Sequence, residues 1–181
     1  MTTKSSLYFS GLDELRFFAA AAVLLHHFEQ LKYEFGYPNM WEAGAAISYI
    51  GKEGVRLFFV LSGFLITFLL IKELSETNKI SILRFYIRRI LRIWPLYFLI
   101  VGLAFFVCPI LFDFPKSAQS TFSASTVFYD YWDKLRLFVL FLPNMCNLKY
   151  PPVLGAAHCW SLGVEEQFYL IWPVWLYAFR K

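Results

Sequence analysis

The chain has 181 residues, of which 59% are hydrophobic and 21% aromatic, with a mean hydropathy of +0.52. Soluble domains sit nearer about 45–50% apolar, so this composition excludes an ordinary soluble domain and points to a multi-span, all-α membrane protein. The net charge is only +4, and no stretch interleaves basic and aromatic residues in a soluble setting, so no nucleic-acid partner is expected.

The first apolar stretch is SGLDELRFFAAAAVLLHH, residues 10–27. It has no small-residue cleavage site after its apolar run and reads as a span, about Leu12 to Phe28, rather than a signal peptide. Arg16 and His27 are roughly 16 Å apart along a helix axis, close to three turns, and so share nearly one face. Ionisable groups are costly in hydrocarbon and suggest function there. The plainer reading is that Arg16 snorkels and pairs with Asp13, while His27 marks the far interface. Residues 29–46 carry Gly36, Pro38, Gly44 and three glutamates and read as an external loop.

The second span covers about Ile47 to Ile71, around GVRLFFVLSGFLITFLLI. Its Ser62–Gly63 pair is expected to permit close helix approach. Residues 72–92, rich in Lys and Arg, read as a cytoplasmic loop by the positive-inside rule. The N-terminus is then cytoplasmic, with Arg16 near the inner face and His27 toward the outer one. The third span is residues 94–112, with Trp94 and Tyr97 suited to the interface belt. Residues 113–134 read as an external loop. The run LFVLFLPNM is too short to cross and reads as interfacial or re-entrant. The last span, about Leu162 to Phe179, then runs inward and ends in Arg180 and Lys181. This gives four spans and puts Glu165 and Glu166 on the outer side. Were the short run to span, Glu165 would move inside.

Three groups could carry chemistry. His27 is the best candidate base, because a buried neutral imidazole remains basic. The adjacent His26 points about 100° away, so one of the two is expected to face a shared site. Arg89 and Arg92, at i and i+3, could fork onto phosphate oxygens or simply anchor to anionic lipid. Glu165 could orient an imidazole or bind sugar hydroxyls. Alternatively, it could serve the helix dipole behind a Ser161 N-cap. Cys108, Cys146 and Cys159 show no CxxC and no metal-ligand spacing, so no metal is expected. Cys146 and Cys159 could pair in an oxidising compartment or remain free thiols.

Four pieces resemble the acyltransferase 3 family of integral-membrane O-acyltransferases. They are GLDELRFFAAAAVLLHH, GVRLFFVLSGFLIT, RFYIRRILRIWPLY and WSLGVEEQFYLIWP, in the family's order. The resemblance implies a multi-pass helical bundle in a bacterial inner membrane. Its arginine, ten residues, histidine motif matches Arg16 and His27, which makes His27 rather than His26 the catalytic histidine. Its RxxR motif matches Arg89 and Arg92, implied to meet an acyl-CoA donor, acetyl-CoA foremost, on the cytoplasmic side. The glutamate after WSL matches Glu165, implied to orient His27 or the acceptor. Where the family often has an aspartate in GVxLFFVLSGF, this chain has Arg56.

The implied partners are membrane lipid, acyl-CoA and a saccharide acceptor at the cell surface or on a lipid carrier. No cofactor is implied to bind tightly. Family members have about ten spans, so the chain is expected to be an N-terminal portion, which could work as a homo-oligomer. The competing expectations are a non-catalytic membrane scaffold, an inactive fragment of such an enzyme, or a lipid or solute carrier.

Overall fold

The computed structural model describes residues 11–40, 45–111 and 130–179. Among these, every regular element is helical. In hydrocarbon a backbone N–H or C=O finds no water, and an apolar chain satisfies both within one helix. Helix α1 spans Leu12–Glu34, α2 Ala45–Thr77 and α3 Ile82–Gly102. α3 continues through a π-helical turn at Leu103–Val107 into α4, Cys108–Leu111. Then come α5, Tyr131–Val139, α6, Pro143–Lys149, and α7, Cys159–Ala178. The lead-in at 1–9, most of the expected loop at 113–134 and the Arg180–Lys181 end lie outside the described residues.

Two helical runs are long and apolar enough to cross a membrane, Tyr49–Thr77 and Ile82–Ile110, with hydropathies of 2.3 and 2.2. They cover most of the second and third expected spans, Ile47 to Ile71 and residues 94–112. The first and last expected spans fall on α1 and α7, of 23 and 20 residues. Among the described residues, only the former two runs combine length with so apolar a window. α5 and α6 have 9 and 7 residues. At about 1.5 Å per residue neither reaches across a core of roughly 30 Å.

The expected loops contract. Residues 72–92 are mostly helix, because Lys, Glu, Leu and Arg all propagate a helix well. α2 runs to Thr77 and α3 starts at Ile82, so the reversal is confined to residues 78–81. Asn78 supplies it with φ of 54°, and Glu73 accepts the Ser81 N–H at 3.3 Å. Residues 29–34, expected in a loop, extend α1. The Glu29 side chain then ties down the segment after the helix. It accepts the Met40 N–H at 2.7 Å and Lys32 Nζ at 3.0 and 3.1 Å. The Met40 bond, then Lys32, hold its carboxyl below the usual carboxylate range.

The chain divides into two compact units, Met1–Thr67 and Phe68–Lys181, with the boundary inside α2. In the first, α1 and α2 approach at Gly51 and Gly54. A Cβ on Gly51 would stand 2.3 Å from His26 Cγ, and one on Gly54 would stand 2.9 Å from the Ala19 carbonyl oxygen. Gly63, expected to serve close approach, has nothing within 4 Å of a Cβ among the described residues. The small residues that permit backbone approach therefore lie about three turns earlier.

In the second unit, α3, the π turn, α5, α6 and α7 enclose a core that includes Tyr97, Val101, Phe105, Phe138, Cys146 and Cys159. Tyr97 is fully buried, with its hydroxyl donating to the Phe138 carbonyl at 2.7 Å. It is a core residue, not part of an interface belt, because that carbonyl meets the phenol's need for a partner. Phe141 takes φ of 57°, a conformation costly for a bulky residue. Contacts on several sides hold it. Its ring stacks on Tyr97 at 4.4 Å and lies 5.1 Å from Trp94, and its carbonyl accepts Gln167 Nε2 at 3.1 Å. Gln167 also pairs with Asn144 through bonds of 3.0 and 3.4 Å. Beside this clamp, Pro143 lies against Gly163, where a Cβ would meet Pro143 Cδ at 2.7 Å.

All three cysteines are free thiols, with Cys146 and Cys159 buried. Burial pushes both thiols up to about 11, so neither presents a thiolate near neutrality.

The packing can be tested at two glycines. Gly163→Ala is expected to destabilise the detergent-solubilised chain by about 1–3 kcal/mol through overpacking against Pro143. Gly63→Ala should be neutral or slightly stabilising, since helix propensity favours alanine by about 1 kcal/mol. Thermal unfolding of the two variants checks this, and equal midpoints would refute it. Maleimide at neutral pH should leave Cys146 and Cys159 unlabelled until denaturant is added. Mass spectrometry of the labelled peptides reads the result.

Candidate functional site

The sequence candidates divide between the two units. In the first, Arg16 Nη1 pairs with Asp13 Oδ1 at 3.2 Å on the outside of α1. This is the plain i,i+3 pair that the spacing allowed. The two histidine rings are perpendicular neighbours, 5.0 Å apart, and the helix contact takes His26. Its ring covers Gly51, and Nδ1 lies 3.2 Å from the Ile47 carbonyl oxygen. A carbonyl only accepts, so Nδ1 is the donor in this contact. His27 is half-buried and turned along its own helix, with Nδ1 3.4 Å from Gln30 Oε1. Arg56 forms an i,i+3 pair with Glu53 on an exposed face.

In the second unit, α3 and α7 are joined at several heights. Tyr86 donates to the Leu170 carbonyl at 2.7 Å. Arg89 sits between two rings, with its guanidinium carbon 5.5 Å from the centroid of Phe85 and 5.3 Å from that of Tyr169. Each such contact contributes about 0.5–1 kcal/mol at an exposed site and more when desolvated. Further along, Trp94 Nε1 donates to Glu166 Oε2 at 3.4 Å.

Arg89 and Arg92 do come together, as their spacing predicted. They line a cleft of about 400 Å³ with Arg88, Glu73, Phe85 and Leu70. Three guanidinia around one space concentrate positive charge there, and guanidinium N–H donors have the geometry to pair with phosphate oxygens. Among the described residues, Glu73 is the one acid lining it. Spacing alone revealed two of these arginines. Arg88 is next to Arg89 on α3 itself, and Glu73 joins because the tight turn at 78–81 folds the end of α2 beside the start of α3.

Glu165, expected on the outer side, is half-buried and accepts the hydroxyl of Tyr169 at 2.6 Å, one side chain from Arg89. The pairing of α7 with the arginine end of α3 puts it beside the cleft that the positive-inside rule makes cytoplasmic, not across the membrane from it. The capping reading of this turn fails. The N-cap of α7 is His158, its first turn holds no acid, and Ser161 Oγ donates to the His158 carbonyl at 3.3 Å. Glu165 and Glu166 stand in the second turn, where the dipole of the N-terminus has faded. Glu166 is buried on the stripe of Cys159, Gly163, Tyr169 and Pro173. Its Oε1 is buried and makes no hydrogen bond among the described residues. A buried polar atom left so costs about 1–3 kcal/mol, a marker of function as much as of structure. Neither Glu166 nor Tyr169 stood out in the sequence. The available signal was their period, since Glu166 is i+3 from the small Gly163 and Tyr169 is i+3 from Glu166.

Among the described residues, no cluster of three His, Cys, Asp or Glu side chains could hold a metal ion.

The profile of the family described as an acyltransferase domain (acyltransferase 3) matches residues 9–181. The O-acetyltransferase OatA of Staphylococcus aureus strain NCTC 8325 is 32% identical over 177 residues, covering 94% of this chain and 25% of that protein. The peptidoglycan O-acetyltransferase OatA of Listeria monocytogenes is 31% identical over 185 residues, covering 99% of this chain and 26% of the relative. No solved structure is significantly similar. The chain spans about a quarter of the length of these curated relatives. With a profile match that runs from the first helix through the last, the chain belongs to the acyltransferase 3 family.

Proposed function

We propose that the chain takes part in O-acyl transfer in a bacterial inner membrane, with its N-terminus cytoplasmic. The donor is an acyl-CoA, acetyl-CoA foremost, and the acceptor is a hydroxyl of a cell-surface or lipid-linked saccharide. The observation that carries this reading is the cleft of Arg88, Arg89 and Arg92 in a chain of this family. Coenzyme A bears a pyrophosphate and a 3′-phosphate, and three guanidinia in about 400 Å³ match that charge. The similarity to proteins named O-acetyltransferases supports the acetyl group, and the name of the Listeria protein supports a saccharide of the cell wall.

The chemistry balances without a further co-reactant. The acceptor oxygen attacks the thioester carbonyl, the carbon–sulfur bond breaks, and the hydroxyl proton passes to the departing thiolate. His27 takes and relays that proton. Arg16 supplies positive charge at the opposite end of the same helix. Glu165 binds the acceptor's hydroxyls from the second turn of α7, and membrane lipid is the solvent of the long helices. The α1–α2 contact occupies His26, which favours His27 for the proton.

Base catalysis of this kind contributes about 10²–10⁴-fold. His27→Ala is therefore expected to lower transfer of label from acetyl-CoA in membranes by at least about 100-fold, while His26→Ala lowers stability more than rate. Retention of more than a tenth of the rate in His27→Ala would remove His27 from the role. Arg89→Ala with Arg92→Ala should instead raise KM for acetyl-CoA by about tenfold or more, the loss expected for charge-assisted bonds to phosphate. Unchanged KM in the double variant would favour lipid anchoring.

A further inference from the structure

The arginine cleft and the acid of α7 are joined through one side chain. Tyr169 is buried, 4% exposed, and presents one face to the Arg89 guanidinium at 5.3 Å. Its hydroxyl donates to Glu165 Oε2 at 2.6 Å. We propose that Tyr169 is a positioning residue that fixes Arg89 for the anionic donor and couples it to Glu165, an inference that rests on the acyl-CoA reading of the cleft.

The coupling is both geometric and electrostatic. An arginine side chain has several rotatable bonds, and fixing it freely in an open cleft costs entropy. Phe85 and Tyr169 confine it from two sides, so its N–H fork is set before any phosphate arrives. The two rings differ in one respect. Phe85 is a neighbour on the helix of Arg89 itself, at i−4, and moves with that helix. Tyr169 comes from α7 and relates the arginine to another element. Its ring can turn about its own bonds unless something holds it, and the bond to Glu165 does so.

That bond also acts on the ring's charge. A phenol that donates to a carboxylate gains electron density, and a cation is drawn to the electron-rich face. The carboxylate and the guanidinium are thus linked across the ring. Engagement of Glu165 by another donor loosens Tyr169, and with it Arg89. An acceptor hydroxyl that competes for Glu165 would alter the grip on the donor. This gives one chain of contacts, Glu165 to Tyr169 to Arg89, by which the acid and the donor cleft sense each other.

The test separates ring, hydroxyl and donor. Tyr169→Phe keeps the ring and loses the bond, Tyr169→Leu loses both, and Glu165→Gln alters the acceptor. Two readouts are taken on the full chain in detergent. One is the rate of phenylglyoxal modification at Arg89 by mass spectrometry, with exposed Arg136 as internal reference. The other is the affinity for acetyl-CoA. Maleimide protection of buried Cys146 reports that each variant is folded.

Arg89 modification should rise about fivefold in Tyr169→Leu and about twofold in Tyr169→Phe, with no further rise when Tyr169→Phe and Glu165→Gln are combined. Acetyl-CoA affinity should fall about tenfold in Tyr169→Leu and not fall further when Arg89→Ala is added. An Arg89 rate unchanged in Tyr169→Phe and Tyr169→Leu overturns the proposal. If Tyr169→Leu does not fold, the Tyr169→Phe rate decides alone. If the wild-type chain binds no acetyl-CoA, the donor reading falls, and the modification rates still decide whether Tyr169 positions Arg89.

Discussion

The contact on which the second unit depends is Pro143 against Gly163. A side chain on Gly163 would overlap the proline ring, so the ring at the start of α6 packs directly on the backbone of α7. That closeness brings Gln167 within reach of Asn144 and the Phe141 carbonyl. It also holds Phe141 in a left-handed conformation, with its ring stacked on Tyr97. The rotation of α7 about its axis is then set. The stripe of Glu166, Tyr169 and Pro173 turns inward, and Glu166 and Tyr169 face α3.

The consequence for chemistry is that polar groups are paired across helices instead of scattered along them. Trp94 reaches Glu166, Tyr86 reaches the Leu170 carbonyl, and Arg89 lies on Tyr169. In an apolar medium each of these is worth more than in water, and each unpaired group costs more. The short turn at 78–81 adds the second half of the arrangement, bringing Glu73 to the arginine cleft. In the first unit the analogous constraint is Gly51, whose missing side chain leaves room for the His26 ring. With His26 committed to packing, the neighbouring His27 is the imidazole left to the chemistry proposed for this helix.

Much of this was legible from the sequence, and for identifiable reasons. The two most apolar helices were found because apolar runs of that length admit few other structures. Arg89 and Arg92 were recognised as one pair because i and i+3 share a helix face in any context. The Arg16–Asp13 pair was foreseen on the same ground. Loop boundaries were misplaced at 29–34 and 72–92 because hydropathy reports where the hydrocarbon ends, not where the helix ends. The Ser161 cap was misplaced because α7 begins at Cys159, one short turn before the apolar run that marked it. Gly63 and Gly51 look alike in sequence, and only the neighbour's position tells which glycine is needed.

The sequence by itself determined the helical class, the two strongest spans, the arginine pair, and the motifs that place the chain in its family. Each is a local property, carried by residues within a few turns of one another. The tertiary structure alone decided that Tyr97 is core and not interface, that His26 seals a helix contact, and that Glu73 joins the cleft. It also decided that Tyr169 links Arg89 to Glu165. These depend on how one helix is rotated against the next. That rotation is set by steric fits such as Gly163 beneath Pro143, which no single stretch of sequence contains.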